Sequence, residues 1–200
     1  MKADFLTLKA NKKMKMKSRK VQIAVIIGLL VLGALARVFP HAPNFTPIVA
    51  MALFGAVIFK NKNLAILLPM AALLLSDIML ELSFQLGYRS FSGFHSGMIY
   101  VYGAFFLIAF LAYFGLKKAN FLSIGLGALG ASVLFFLITN FGVWLSGSMY
   151  TMDFTGLIGC YTAAIPFFHN TVLSTFMYSG VFFGAYYLLN QRSLQVALQR

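Results

Sequence analysis

The sequence contains little charge and almost no cysteine. Charged residues make up 10% of its 200 residues and only 4 of them are acidic, whereas 60% of the residues are hydrophobic. Soluble domains differ from this composition, because about a quarter of their residues are charged. The single cysteine, Cys160, excludes an intrachain disulfide and a zinc site built from cysteines. We therefore expect a protein whose apolar surface is buried in a lipid bilayer.

Several sequence motifs of well-known enzyme classes are also missing. The chain has no P-loop, no G-x-S-x-G turn and no H-E-x-x-H zinc motif. Nothing in it therefore indicates ATP hydrolysis, serine hydrolase chemistry or metal-dependent proteolysis. We predict that the protein is not an enzyme, and we predict no cofactor and no bound metal.

Six long apolar runs follow a basic N-terminal segment. A transmembrane helix needs about 17 to 25 mostly apolar residues, so we interpret each run as a span. The runs are residues 21–36, 45–59, 64–80, 98–116, 121–145 and 171–189. Residues 154–168 are also apolar but shorter, and they contain Gly156, Gly159 and Pro166. The predicted fold is therefore an all-α integral membrane protein with six spans and a short re-entrant or interfacial helix before the last one.

The basic residues predict the orientation of these spans. Lysine and arginine concentrate in cytoplasmic loops, and half of the 16 basic residues precede Val21. With the N-terminus inside, six crossings leave only Arg37 and Arg89 on the outer side. We therefore predict a multi-pass protein of the cell inner (plasma) membrane with both termini in the cytoplasm. Its parts are a basic tail at 1–20, one transmembrane domain at 21–190 and a C-terminal tail at 191–200.

The high positive charge raises the question of a nucleic-acid partner. A basic run directly before an apolar helix is better explained by orientation and by anionic lipid. We therefore predict the lipid bilayer as a partner, and no nucleic acid.

Polar and charged residues gather at the predicted outer ends of the spans. Asp77 and Glu81 are four residues apart, so they share one face of a helix, and a carboxylate near the bilayer is costly unless it is paired. Arg37 and Arg89 are their predicted partners. Because all three outer loops contribute polar groups, we predict one outward-facing pocket for a small-molecule ligand. Its predicted ligand-binding residues are Arg37, His41, Asn44, Asp77, Glu81, Arg89, His95, Asn140, Trp144 and His169.

The same residues also suit purely structural roles. The ionic groups fit a belt that fastens the helix ends, Trp144 fits an anchor at the lipid headgroups, and Asn140 fits a hydrogen bond to a neighbouring helix. Besides a binding protein, two classes therefore stay open. One is a structural or assembly subunit of a membrane complex with no ligand of its own. The other is a small intramembrane enzyme that uses Asp77, Glu81 and a histidine as acid and base.

Four stretches of the chain resemble a largely uncharacterised family of small bacterial membrane proteins. The resemblance covers almost all of the chain after Val21. The stretches are RVFPHAPNFTPIVAMALFG (37–55), LPMAALLLSD (68–77), TNFGVWLSG (139–147) and GCYTAAIPFFHNT (159–171).

In size, number of predicted spans and placement of polar residues, the chain is also similar to the S components of energy-coupling-factor (ECF) vitamin transporters, in particular the BtuM-like type. That resemblance implies capture of a vitamin-like ligand from the outer side, with a cobamide as one option. It also implies that the protein works alone or with an ATPase-driven energy-coupling module. BtuM-like proteins carry a cysteine for cobalt in the third-to-fourth loop, but residues 83–97 contain none here. His41 and His95 are the alternative cobalt ligands.

Overall fold

The structure is a computed structural model that describes residues 23–116 and 120–198, with side chains up to residue 189. It consists of helices, and no strand occurs within these ranges. The helices are α1 (Ile23–Val38), α2 (Ile48–Ile58), α3 (Lys62–Gln85), α4 (Met98–Gly115), α5 (Phe121–Leu145) and α6 (Phe154–Leu198). The prediction of an all-α fold is confirmed for the described residues. The predicted basic tail at 1–20 lies outside them.

In the described part of the chain, four helices are long and apolar enough to cross a membrane, namely α3, α4, α5 and the part of α6 that ends at Leu189. This is typical of an integral membrane protein. Helices α1 and α2 are shorter apolar helices. At about 1.5 Å per residue, the 11 residues of α2 extend roughly 16 Å, far less than a hydrocarbon core of about 30 Å. Within the described residues, four helices are of spanning length, so the six complete spans that we predicted are not confirmed.

Flanking residues shorten α2. Pro47 directly precedes its first residue, and the loop before Pro47 contains two further prolines, which cannot donate the backbone bonds of a helix. At the other end, the Asn61 side chain accepts hydrogen bonds from the backbone N–H groups of Asn63 at 2.9 Å and Leu64 at 3.3 Å. Asn61 is thus the N-cap of α3, and α2 ends before it.

Helix α2 is the centre of the bundle. All of its residues from 48 to 56 are buried, and it contacts α3, α4, α5 and α6. The ring of Phe54 packs against the rings of Phe182, Phe183 and Tyr186. A helix that is apolar on every side is typical of one that is buried on every side. In this structure protein, and not lipid, surrounds α2.

Helix α6 is continuous. It runs from Phe154 to Leu198 through Pro166, so the prediction of a separate short helix at 154–168 is wrong. Proline removes a single backbone donor, and helices in membranes tolerate that loss where neighbouring groups satisfy the freed carbonyl. The predicted C-terminal tail from residue 191 also begins inside this helix.

Candidate functional site

Four residues, Arg37, Ser76, Asp77 and Tyr102, surround one buried carboxylate, and we call them the Arg37 cluster. Only 2% of the Asp77 side chain is exposed, against 15% of the Arg37 side chain. Arg37 Nη1 donates to Asp77 Oδ1, and the Tyr102 hydroxyl donates to Asp77 Oδ2 at 2.6 Å. Nη1 also donates to the Ser76 hydroxyl at 2.8 Å. The cluster joins α1, α3 and α4 and gives a buried charge the partners that it needs.

The Arg37 guanidinium is only partly used by this cluster. Both of its hydrogen bonds leave from Nη1, and within the described residues Nε and Nη2 have no acceptor. Neither atom is fully buried, because Ser179 Oγ is the one buried side-chain N or O atom without a hydrogen bond in the described part of the chain. Three N–H donors of a half-buried arginine therefore face accessible space next to Asp77.

Glu81, one turn after Asp77, holds the loop between α3 and α4. One of its carboxylate oxygens accepts hydrogen bonds from the Ser92 hydroxyl and from the backbone N–H groups of Gly93 at 3.1 Å and Phe94 at 3.4 Å. The Gly93 backbone lies against α3, since an added Cβ would lie 2.4 Å from the Asp77 carbonyl oxygen. Of the two arginines predicted as partners of these carboxylates, Arg37 pairs with Asp77, whereas Glu81 bonds the loop.

Arg89 and His41 satisfy the end of α1. Arg89 Nη2 donates to the Val38 carbonyl, and its guanidinium lies 5.4 Å from the centre of the Phe91 ring. His41 Nε2 contacts the Arg37 carbonyl oxygen at 3.1 Å. The last carbonyls of a helix have no partner within the helix and carry partial negative charge. Both side chains therefore have a structural role beside the Arg37 cluster.

The loop between α1 and α2 has a defined shape. Its backbone turns with a hydrogen bond from the Phe45 N–H to the Ala42 carbonyl at 2.9 Å. Asn44 has a φ of 60°, in the left-handed region where asparagine is among the tolerated residues. The Asn170 side chain of α6 donates to the Pro43 carbonyl at 2.9 Å and ties the loop to the bundle. The Asn44 side chain is exposed, and hydrogen bonds fix the loop backbone that carries it.

Asn140 and Trp144 belong to the hairpin of α5 and α6. Asn140 Nδ2 donates to the Phe136 carbonyl of its own helix at 2.8 Å, and the Cys160 thiol donates to the Asn140 backbone carbonyl at 3.4 Å. Trp144 Nε1 donates to the Thr151 carbonyl at 2.9 Å. The Asn140 amide therefore bonds within α5, and the Trp144 ring bonds the loop between the two helices.

Asp153 is the N-cap of α6 and carries a perturbed carboxyl group. Its Oδ1 accepts the Gly156 backbone N–H at 2.7 Å and the Thr151 hydroxyl at 2.9 Å. These two donors, the Gly156 N–H first, stabilise the charged form and lower the pKa of Asp153 below its ordinary value.

The ten predicted site residues thus fall into three groups. Arg37, His41, Asp77, Glu81 and Arg89 lie around the end of α1 and the neighbouring part of α3, with Asn44 in the adjoining loop. Asn140 and Trp144 bond within the α5–α6 hairpin. His95 and His169 are exposed. Among the described residues, no three His, Cys, Asp or Glu side chains are grouped as a metal site would require.

Two contact residues were missed by sequence reasoning. Tyr102 lies inside an apolar run, where aromatic residues are so common that its hydroxyl gave no signal. Asn170, and not the neighbouring His169, reaches the α1–α2 loop. The length of α6 as one helix determines which of these adjacent residues faces the loop, and the sequence pattern does not show this.

Comparison with known proteins gives a family but no characterised relative. No curated protein and no solved structure matches the chain at a significant level. A family model described as a family of unknown function, DUF6580, matches residues 17–197. Because this match spans nearly the whole chain, the protein belongs to the DUF6580 family.

Proposed function

We propose that the protein is a substrate-binding membrane protein of S-component type, which captures a small vitamin-like ligand at the Arg37 cluster. A cobamide is one option for the ligand. In this proposal the protein delivers its ligand alone or with an ATPase-driven energy-coupling module, and the Arg37 cluster faces the outer side of the inner membrane.

The observation that carries the proposal is the unfinished coordination of Arg37. Ionisable residues in membrane helices are costly, and they commonly mark sites of binding or transport. Asp77 uses both of its oxygens within the cluster, but Arg37 keeps three donors in accessible space. A planar guanidinium with a free edge suits a carboxylate, phosphate or amide oxygen of a ligand.

Two residues outside the Arg37 cluster supply further contacts in this proposal. Asn44 offers an exposed amide from a loop that Asn170 already holds, so little ordering is needed on binding. Trp144 presents a half-buried ring beside Phe141, with ring centres 5.5 Å apart, for an apolar part of the ligand. The α3–α4 loop, anchored by Glu81, and the α5–α6 connection act as the two lids.

A structural or assembly subunit is the second candidate, and a specific observation favours it. Glu81, Asn140 and Trp144 use their polar groups on the backbone of this same chain. If the Arg37 cluster likewise serves only the fold, its role is to hold α1 against α3 and α4. The enzyme alternative has no comparable support.

Thermal unfolding in detergent separates the two candidates. A ligand that binds only the folded protein raises its Tm, so we would titrate a panel of vitamins that includes cobalamin. Two tyrosines of α4 give matched variants. Tyr102→Phe removes the hydrogen bond to Asp77, and Tyr113→Phe removes a similar hydrogen bond to the Lys60 carbonyl.

We expect a saturable rise in Tm for one ligand, and Tyr113→Phe should respond as the natural chain does. In Tyr102→Phe and Arg37→Lys, the ligand concentration that gives half of the maximal rise should be about tenfold higher. No rise with any ligand in folded protein would favour the structural subunit. An equal ligand response in all three variants would place the binding site elsewhere.

A further inference from the structure

A groove lies between α4 and α5, and none of the ten predicted site residues lines it. Its volume is about 570 Å³, it is partly open, and every side chain that lines it is apolar. Leu53 of the central helix α2 contributes to it, together with residues of α4 from Ile108 to Gly115, the following Leu116, and residues of α5 from Leu126 to Leu137. We call this the α4–α5 groove.

Missing side chains help to create the groove. Gly115 and Gly130 both line it, and an added Cβ at either position would meet no atom within 4 Å. The packing of the described residues therefore leaves room for a larger side chain at both of these groove-lining positions. Glycines 125, 127 and 130 also have the spacing of a dinucleotide-binding motif. That motif needs a turn from a strand into a helix, but these three lie within α5.

The end of the groove at Gly115 and Leu116 lies at a positively charged end of the bundle. The Tyr113 hydroxyl of α4 donates to the Lys60 carbonyl at 2.8 Å, which brings the start of α3 beside the last turn of α4. Lys60 and Lys62 are exposed there. The acidic residues of the described chain, Asp77, Glu81 and Asp153, lie far along α3 or after α5.

We propose that the α4–α5 groove binds an acyl chain of an anionic phospholipid whose phosphate lies near Lys60 and Lys62. Size argues against a helix as the occupant. A helix about 10 Å in diameter would fill 570 Å³ with roughly 7 Å of its length, little more than one turn. An acyl chain is thinner and wholly apolar, as the side chains of the lining are. The lysines favour an anionic headgroup over a zwitterionic one. This proposal is independent of the function proposed for the Arg37 cluster.

Native mass spectrometry of the detergent-purified protein tests it. The probe is an equimolar mixture of phosphatidylglycerol and phosphatidylethanolamine with identical acyl chains. The test variant is Gly130→Leu, which adds a large side chain at a position that lines the groove. The matched control is Gly103→Leu on α4, where an added Cβ also meets no atom within 4 Å but which does not line the groove. The double variant Lys60→Gln/Lys62→Gln tests the headgroup.

We expect the natural chain to retain phosphatidylglycerol at least about fivefold over phosphatidylethanolamine. Gly130→Leu should lower that retention about tenfold, Gly103→Leu should not change it, and the lysine variant should abolish the headgroup preference. Equal loss in both glycine variants, or no preference between the lipids, would overturn the proposal. The proposal would also be overturned if the natural chain proved to be dimeric and Gly130→Leu made it monomeric, because the occupant would then be a second copy of the chain.

A second measurement needs no variant. A phosphatidylglycerol with a photoreactive acyl chain should cross-link to residues 108–116 and 126–137 of the natural chain in bilayers. Cross-links spread evenly over all apolar helices would contradict a defined site.

Discussion

Asp77 carries its charge in a position with almost no access to water, and its partners explain how. Both carboxylate oxygens are bonded, one by Arg37 and one by Tyr102. Removing one member of such a pair leaves an uncompensated buried charge, whereas replacing both members by apolar residues is often nearly neutral. The stability of this end of the bundle should therefore depend on the pair as a unit.

We expect Arg37→Met to lower the free energy of unfolding by about 3–5 kcal/mol, because Asp77 then loses its counter-charge. The double variant Arg37→Met/Asp77→Leu should recover at least half of that loss. Denaturant titration in detergent measures both values. A single variant within about 1 kcal/mol of the natural chain, or a double variant less stable than the single one, would contradict this account.

Substitutions at Asn44 can separate the effect of its backbone conformation on stability from the effect of its side chain on ligand binding. Its φ of 60° disfavours alanine, so we expect Asn44→Ala to lower the free energy of unfolding by about 1 kcal/mol. Asn44→Gly should change it by less, because glycine adopts this conformation without strain. If Asn44 binds the ligand, both variants should lose the ligand-induced rise in Tm. Equal stability of the alanine and glycine variants would show that the conformation imposes no strain.

At the scale of the helices, the approach of α2 to α3 depends on Gly55. An added Cβ there would lie 2.2 Å from Pro69 Cγ, in a ring that cannot move aside without shifting α3. We expect Gly55→Ala to lower the free energy of unfolding by roughly 2 kcal/mol, within the range for overpacking. Gly103→Ala should be neutral or stabilising by up to about 1 kcal/mol, because its Cβ meets nothing. A neutral Gly55→Ala would mean that α2 can move away from α3.

The start of α6 should respond to pH through Asp153. Its pKa is lower in the folded protein than its ordinary value of 3.8 because its charged form accepts bonds from Gly156 and Thr151. The stabilisation is present above pH 3.8 and is lost as the pH falls below it, toward the folded pKa. Asp153→Asn keeps a capping side chain without titrating, so its Tm should fall less steeply than that of the natural chain below pH 4. Parallel pH profiles of the two proteins would contradict this role.

At the scale of the whole molecule, the predicted orientation is open to direct test. Cys160 is the only cysteine, so a Cys160→Ser background allows single cysteines to be placed at will. Tyr88 in the α3–α4 loop and Lys60 before α3 are both exposed. We expect a membrane-impermeant maleimide to label Tyr88→Cys in intact cells and Lys60→Cys only after the membrane is permeabilised. The reverse pattern would place the proposed site on the cytoplasmic side.

Sequence by itself determined the all-α class, the positions of α3, α4 and α5, and the need of Asp77 for a basic partner, with Arg37 and Arg89 as the two candidates. These follow from local properties, namely the length of an apolar run, its capping residues and the cost of an unpaired charge in lipid. Only the tertiary structure decided that α2 is a short helix enclosed by protein, because an apolar run looks the same whether lipid or other helices cover it. It alone also decided that α6 continues through Pro166, that Glu81 and Trp144 bond the chain's own backbone, and where the α4–α5 groove lies. These features depend on which helix surfaces contact each other across the bundle, and local sequence patterns do not show contacts between residues that are far apart in the chain.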